Sequence, residues 1–69
     1  MDANKRRQTI ISYAMFKNKI NKVELAEYMK MSYPTMLSKL NNTDRFKLGE
    51  ADKLCNILNI NLTEFLTNK

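Results

Sequence analysis

Asn21-Lys22-Val23-Glu24-Leu25-Ala26-Glu27-Tyr28-Met29-Lys30-Met31-Ser32-Tyr33-Pro34-Thr35-Met36 is the stretch whose reading decides the fold. It holds two helix starts. In each, an apolar residue precedes a capping residue, and a second apolar residue follows five places after the first. Ile20 and Leu25 flank Asn21 in this way, and Met31 and Met36 flank Ser32. A side-chain oxygen at the cap accepts a bond from an unpaired helix N–H, and the apolar pair closes over the turn as a hydrophobic staple. Glu24 stands where it can bond back to Asn21; Thr35 occupies the matching place after Ser32. Pro34 falls in the first turn of the second helix, where a missing N–H costs nothing. Few residues join Met29 to Ser32, so two short helices must meet at a tight corner.

The same pattern recurs near the end of the chain, where Ile60-Asn61 leads to Phe65 with Glu64 at the third helical position. Elsewhere, periodicity marks the helices. Ile10, Ile11, Ala14 and Met15 form one apolar stripe at helical spacing, and Ala51, Leu54, Cys55 and Leu58 form another. Gly49 is the only glycine and Pro34 the only proline, too few turn residues for a strand-rich domain of this size. The expectation is a single all-α domain over residues 1–69. Its five helices fall at about 4–17, 22–29, 33–41, 49–58 and 62–67, with a polar loop from Asn42 to Lys47. Met29, Met31 and Met36 read as core. Of Phe65 and Leu66, one can reach the core, which leaves the other for a dimer contact.

A chain this short buries only about 60% of its unfolded surface and is marginally stable alone. Cys55 is the one cysteine and there is no histidine, so neither an intrachain disulfide nor a structural zinc site can support the fold. Cys55 among apolar neighbours reads as a buried thiol in a reducing cytoplasm, and no metal or other cofactor is expected. Helix packing, helped by dimerisation, must hold the structure. No apolar run approaches the ~18 residues that span a bilayer. Lys5-Arg6-Arg7 followed by Ile10-Ile11 lacks a signal-peptide core. The net charge of +5 is what a polyanionic partner would attract, although small domains also use such charge for solubility. An enzyme is not expected. Capping accounts for Glu24 and Glu64, and no histidine or activated nucleophile accompanies the remaining acids.

The spacing between the two central helices is that of a helix-turn-helix over about 22–41. In this motif the second helix enters the DNA major groove while the first crosses the backbone. Ala26 sits where a larger side chain would push the pair apart. Leu25, Met29, Met31 and Met36 can close the inner face, and the opening of the second helix presents Tyr33, Pro34, Leu37 and Ser38. Asn21-Lys22-Val23-Glu24-Leu25-Ala26 resembles the first motif helix of the Cro/CI-type, lambda-repressor-like transcriptional regulators. Met31-Ser32-Tyr33-Pro34-Thr35-Met36 resembles that family's entry into its recognition helix, and Lys39-Leu40-Asn41-Asn42 the close of that helix. Phe46-Lys47-Leu48 with Glu50, and Leu58-Asn59-Ile60-Asn61-Leu62, resemble its later helix junctions. The likeness covers about residues 8 to 66. There are departures: Lys30 stands where the family often has glycine, Lys47 replaces a threonine-type cap, and Lys39 occupies a commonly apolar place.

The resemblance implies a compact five-helix DNA-binding domain that reads bases with Tyr33, Pro34 and Ser38, with Leu37 nearby. It places backbone contacts at Lys22 and at Asn41-Asn42. The residues themselves add Ser32, Lys39, Arg45 and Lys47 as candidate phosphate contacts. Tyr33 and Ser38 can hydrogen-bond base edges, and Leu37 or Pro34 can touch a thymine methyl. None of the four can make a bidentate base contact, which shifts weight to DNA shape and phosphates. Lys5-Arg6-Arg7 is either an ordinary basic first turn or an arm along the minor groove. The function implied is a Cro-like repressor of phage or mobile-element origin, binding operator DNA as a homodimer in the cytoplasm, on the nucleoid. The alternative is a protein-interaction module on the same scaffold that modulates a partner repressor. Neither reading calls for a membrane or a small-molecule ligand.

Overall fold

The structure is a computed structural model that describes residues 2–66. Five α-helices follow one another: α1 (Ala3–Asn18), α2 (Lys22–Tyr28), α3 (Tyr33–Asn41), α4 (Leu48–Leu58) and α5 (Leu62–Leu66). No strand occurs among the described residues, and none of the helices is long and apolar enough to cross a membrane. The caps explain most of the starts. The Asn21 side chain accepts from the Glu24 N–H at 2.8 Å while the Asn21 N–H donates to Glu24 at 3.0 Å, so both halves of the capping box form. Ser32 Oγ accepts from the Thr35 N–H at 3.3 Å and donates to Thr35 Oγ1 at 2.8 Å; a threonine here serves where glutamate would. Asn61 accepts from the Glu64 N–H at 3.1 Å. At α1, Asp2 caps the Lys5 N–H at 2.8 Å, which sets the start of the helix at Ala3.

Three of the connections are one device used three times. Lys19, Lys30 and Asn59 have φ of 55°, 57° and 57°, in the left-handed region. Reversing the chain there lets the next residue's N–H reach back to a carbonyl of the finished helix. Ile20 bonds Met15 at 3.0 Å, Met31 bonds Ala26 at 2.9 Å, and Ile60 bonds Cys55 at 2.8 Å. That next residue is apolar and packs against the core in each case. It is followed at once by the cap of the next helix: Asn21, Ser32 or Asn61. One left-handed residue, one apolar residue and one cap thus stop a helix and start another. In α1-to-α2 and α2-to-α3 the left-handed residue is lysine, which meets a steric cost that glycine escapes.

The core comprises Ile11 and Ala14 of α1, Leu25, Ala26 and Met29, Met36 and Leu40 of α3, Ala51, Leu54, Cys55 and Leu58 of α4, and Phe65 of α5. Leu25, Met36 and Leu54 are fully enclosed. Ala26 is buried between α2 and α3, which pack closely, so its small size is what the corner requires. Met31 packs at the core's edge. Phe65 is buried and Leu66 exposed, dividing the terminal pair between core and surface. Burial pushes the Cys55 thiol up to about 11, with Asp52 adding to the rise, so the thiol stays protonated and inert.

The expected polar loop from Asn42 to Lys47 is corrected by the structure. Thr43–Arg45 form a 3₁₀ turn, Thr43 is buried and Phe46 packs against the core. The cause lies far away in sequence: Asn4 Oδ1 accepts from both the N–H and the hydroxyl of Thr43, at 2.8 and 2.7 Å. α4 begins at Leu48, one residue earlier than expected. Lys47 has no acceptor to cap it, and the Glu50 side chain instead takes the Lys47 N–H at 3.0 Å. The expected last residue of α5, Thr67, lies outside the described residues.

The left-handed lysines give a test of stability. Moving a non-glycine residue into this region costs about 1–2 kcal/mol, and the flexibility of glycine in the unfolded chain returns about 0.4–1 kcal/mol of that. Lys30→Gly is therefore expected to stabilise the fold by roughly 0.5–1 kcal/mol, raising Tm by several degrees. Asn59→Gly should gain less, because asparagine tolerates the left-handed region better. Thermal melts of the two variants beside the wild type measure both.

Candidate nucleic-acid interface

α3 has two dissimilar sides. Met36 and Leu40 are buried and Lys39 faces α4, while Tyr33, Pro34, Thr35 and Asn41 are exposed and Leu37 and Ser38 are half-buried. Residues three and four apart share a helix face, so Tyr33, Pro34, Leu37, Ser38 and Asn41 form one continuous outer strip. No carboxylate lies on α3. α2, α4 and α5 each carry a glutamate in the first turn, where α3 carries none. The partial positive charge at the α3 N-terminus is therefore not offset by an acid on its own helix.

α1 holds the far end of this helix. Gln8 Nε2 donates to the Leu40 and Asn41 carbonyls at 3.0 and 3.1 Å, and Asn4 Nδ2 donates to the Asn41 carbonyl at 3.2 Å. These are carbonyls that a helix end leaves without partners. Two α1 side chains one turn apart thus cap α3 from outside and fix where its outer strip points. Neither residue is marked for this role by the sequence pattern. Asn and Gln at this spacing look like an ordinary solvated face until α3 is seen beside them.

The candidate phosphate contacts differ in their surroundings. Lys22 and Asn41 come together: both line one surface depression, with Gln8 and Ser12 of α1 between them. Lys22 and Lys47 are exposed, and no carboxylate forms an ion pair with either among the described residues. Ser32 and Asn42 have structural duties. The Ser32 hydroxyl is engaged with Thr35, and Asn42 Oδ1 accepts from the Asp44 N–H at 3.2 Å. Lys39 lies on the inner side, with a side chain 14% exposed, and its Nζ donates to Glu50 Oε1 at 2.5 Å. Arg45 does not extend outward from its turn. Its Nη1 donates to Ser38 Oγ at 2.6 Å, bringing a guanidinium onto the outer strip of α3.

Lys5-Arg6-Arg7 does not form an arm. All three residues lie within α1, and the two arginines face the body of the protein. Arg6 Nη1 donates to the Glu64 carbonyl at 2.9 Å, Arg7 Nε to the Phe65 carbonyl at 3.3 Å, and Arg7 Nη1 to Asp44 at 2.6 Å. Arg7 is 8% exposed. Its guanidinium ties the short α5 and the 3₁₀ turn to α1, a role that no local signal in the sequence could disclose.

A model of the Cro/C1-type helix-turn-helix DNA-binding domain matches residues 11–68. The chain belongs to that family. The match runs through α2, the tight corner and α3, so this Cro/C1-type domain carries its DNA-binding motif on the two helices described above. No curated protein and no solved structure matches the chain.

Glu50 joins two of the lysines to the fold of this Cro/C1-type domain. The Lys39 ammonium, then the Lys47 N–H, hold its carboxyl below the usual carboxylate range. A carboxylate so held stabilises the folded state while ionised. That stability is complete above the ordinary glutamate value and is lost as pH falls through the lowered folded value. Glu50→Gln is expected to melt lower than wild type at neutral pH, with the gap closing as pH falls below the ordinary glutamate range. Thermal melts across that range check the sign.

Proposed function

We propose that this protein is a sequence-specific transcriptional regulator of the Cro repressor kind. In this reading it binds operator DNA as a homodimer in the cytoplasm and acts by occupying the site rather than by catalysis. The observation that carries the reading is the outer strip of α3, which is exposed, free of carboxylates and fixed at its far end by Gln8 and Asn4. A helix so held can enter a major groove with Tyr33 and Pro34 leading and Ser38 following. In this reading Lys22 and Asn41, which line one depression, grip one phosphate stretch, and the exposed Lys47 grips another. Half-sites about one helical turn apart would set two symmetric α3 helices on one side of the duplex.

A second reading is favoured by one observation. Phe16 and Tyr13 of α1 are 81% and 63% exposed and line one surface depression together. A protein that modulates a partner repressor would have use for such a surface.

Titration of the purified protein against its upstream DNA at several salt concentrations separates the two. The repressor reading expects one tight site and a steep loss of affinity with salt. Weak, sequence-blind binding would favour the partner module. Lys22→Ala is expected to weaken all sequences alike and lower the salt slope by about one. Tyr33→Ala is expected to relax preference at particular base pairs; unchanged affinity and preference would remove Tyr33 from the reading strip.

A further inference from the structure

We infer that Arg45 is a base-reading residue specific for guanine, and that Ser38 positions it. The inference rests on the reading of α3 as the helix that enters the major groove. The backbone of Arg45 lies outside α3, in the turn that follows it, where an arginine would ordinarily reach for phosphate. Its side chain instead runs back to Ser38, and the 2.6 Å bond from Nη1 to Ser38 Oγ sets the guanidinium on the outer strip. Guanidinium carries five donors in a fixed fork, and one is used on Ser38. The others have no partner among the described residues.

Charge strengthens the placement. Asp44, the adjacent acid, pairs with Arg7 at 2.6 Å, and no carboxylate forms an ion pair with Arg45 among the described residues. Arg45 therefore faces the strip paired only with a neutral hydroxyl. A planar fork of N–H donors fits the O6 and N7 acceptors on the major-groove edge of guanine, and no other base offers two acceptors there. This supplies the bidentate contact that Tyr33, Pro34, Leu37 and Ser38 cannot make. Ser38 acts through Arg45: with a small hydroxyl it accepts one N–H and holds the fork in register.

The experiment selects duplexes from a random pool with the wild-type protein, then measures binding to the selected site. A guanine is expected in each half-site whose replacement by 7-deazaguanine, which lacks only the N7 acceptor, weakens wild-type binding about tenfold. Arg45→Ala should bind the natural and the modified site equally, and Arg45→Lys should not restore the discrimination, since an ammonium is a point donor. Ser38→Ala should lose part of the guanine preference and Ser38→Thr should keep it. Thermal melts confirm that each variant is folded. If Arg45→Ala instead weakens every duplex by one factor, lowers the salt slope by about one and leaves the guanine preference intact, Arg45 is a phosphate contact and the inference is overturned. In that case the DNA-binding reading stands. If the wild type enriches no sequence from the pool, the underlying reading fails and takes this one with it.

Discussion

The grip of α1 on the end of α3 governs the geometry of the whole molecule. Gln8 and Asn4 meet the carbonyls of Leu40 and Asn41, and Asn4 turns its own oxygen to Thr43 in the next turn. One polar side of α1 therefore closes α3, starts the 3₁₀ turn and sets the approach to α4. The apolar side of the same helix supplies Ile11 and Ala14 to the core. A bundle of five short helices has little burial to spare. It gains definition by satisfying helix-end groups across elements rather than leaving them to water.

The ion pairs follow the same economy. Two carboxylates form ion pairs within the fold: Asp44 with Arg7 and Glu50 with Lys39. Glu24 is engaged in the cap of α2. α3 itself presents hydroxyls and an amide on its outer side, with the Arg45 guanidinium beside them. Asp2, Glu24 and Glu50 each accept a backbone N–H at a helix start, and the net charge of +5 remains for a polyanion to meet.

Much of this was legible in the residues because the signals are local. Ser32 with Pro34 bounds the start of α3, and the spacing of Ala51, Leu54, Cys55 and Leu58 marks the buried stripe of α4. Lys30, read as a departure in the turn, adopts the left-handed backbone that its position implies. The limits are equally physical. The burial of Thr43 depends on Asn4, and that of Arg7 on the carbonyl of Phe65, partners far apart along the chain. The onset of α4 is poorly marked because the side chain of Lys47, at the cap position, has no acceptor, and Glu50 takes the Lys47 N–H from three residues further on. At the candidate site, residue type showed that Arg45 is cationic but not that its side chain folds back to Ser38. Lys39 looked like a surface charge because its partner lies on the next helix.

The left-handed lysines have a consequence for encounter as well as for folding. Glycine would fill those two turns without strain and without charge. Lys19 and Lys30 bring two of the twelve positive side chains to helix corners that are exposed to solvent. Each trades backbone ease for a field that extends about 8 Å at physiological salt. Such a field raises the rate at which an oppositely charged surface is met, before any contact has formed. The corners of this small bundle thus exchange a little thermodynamic stability for speed of approach.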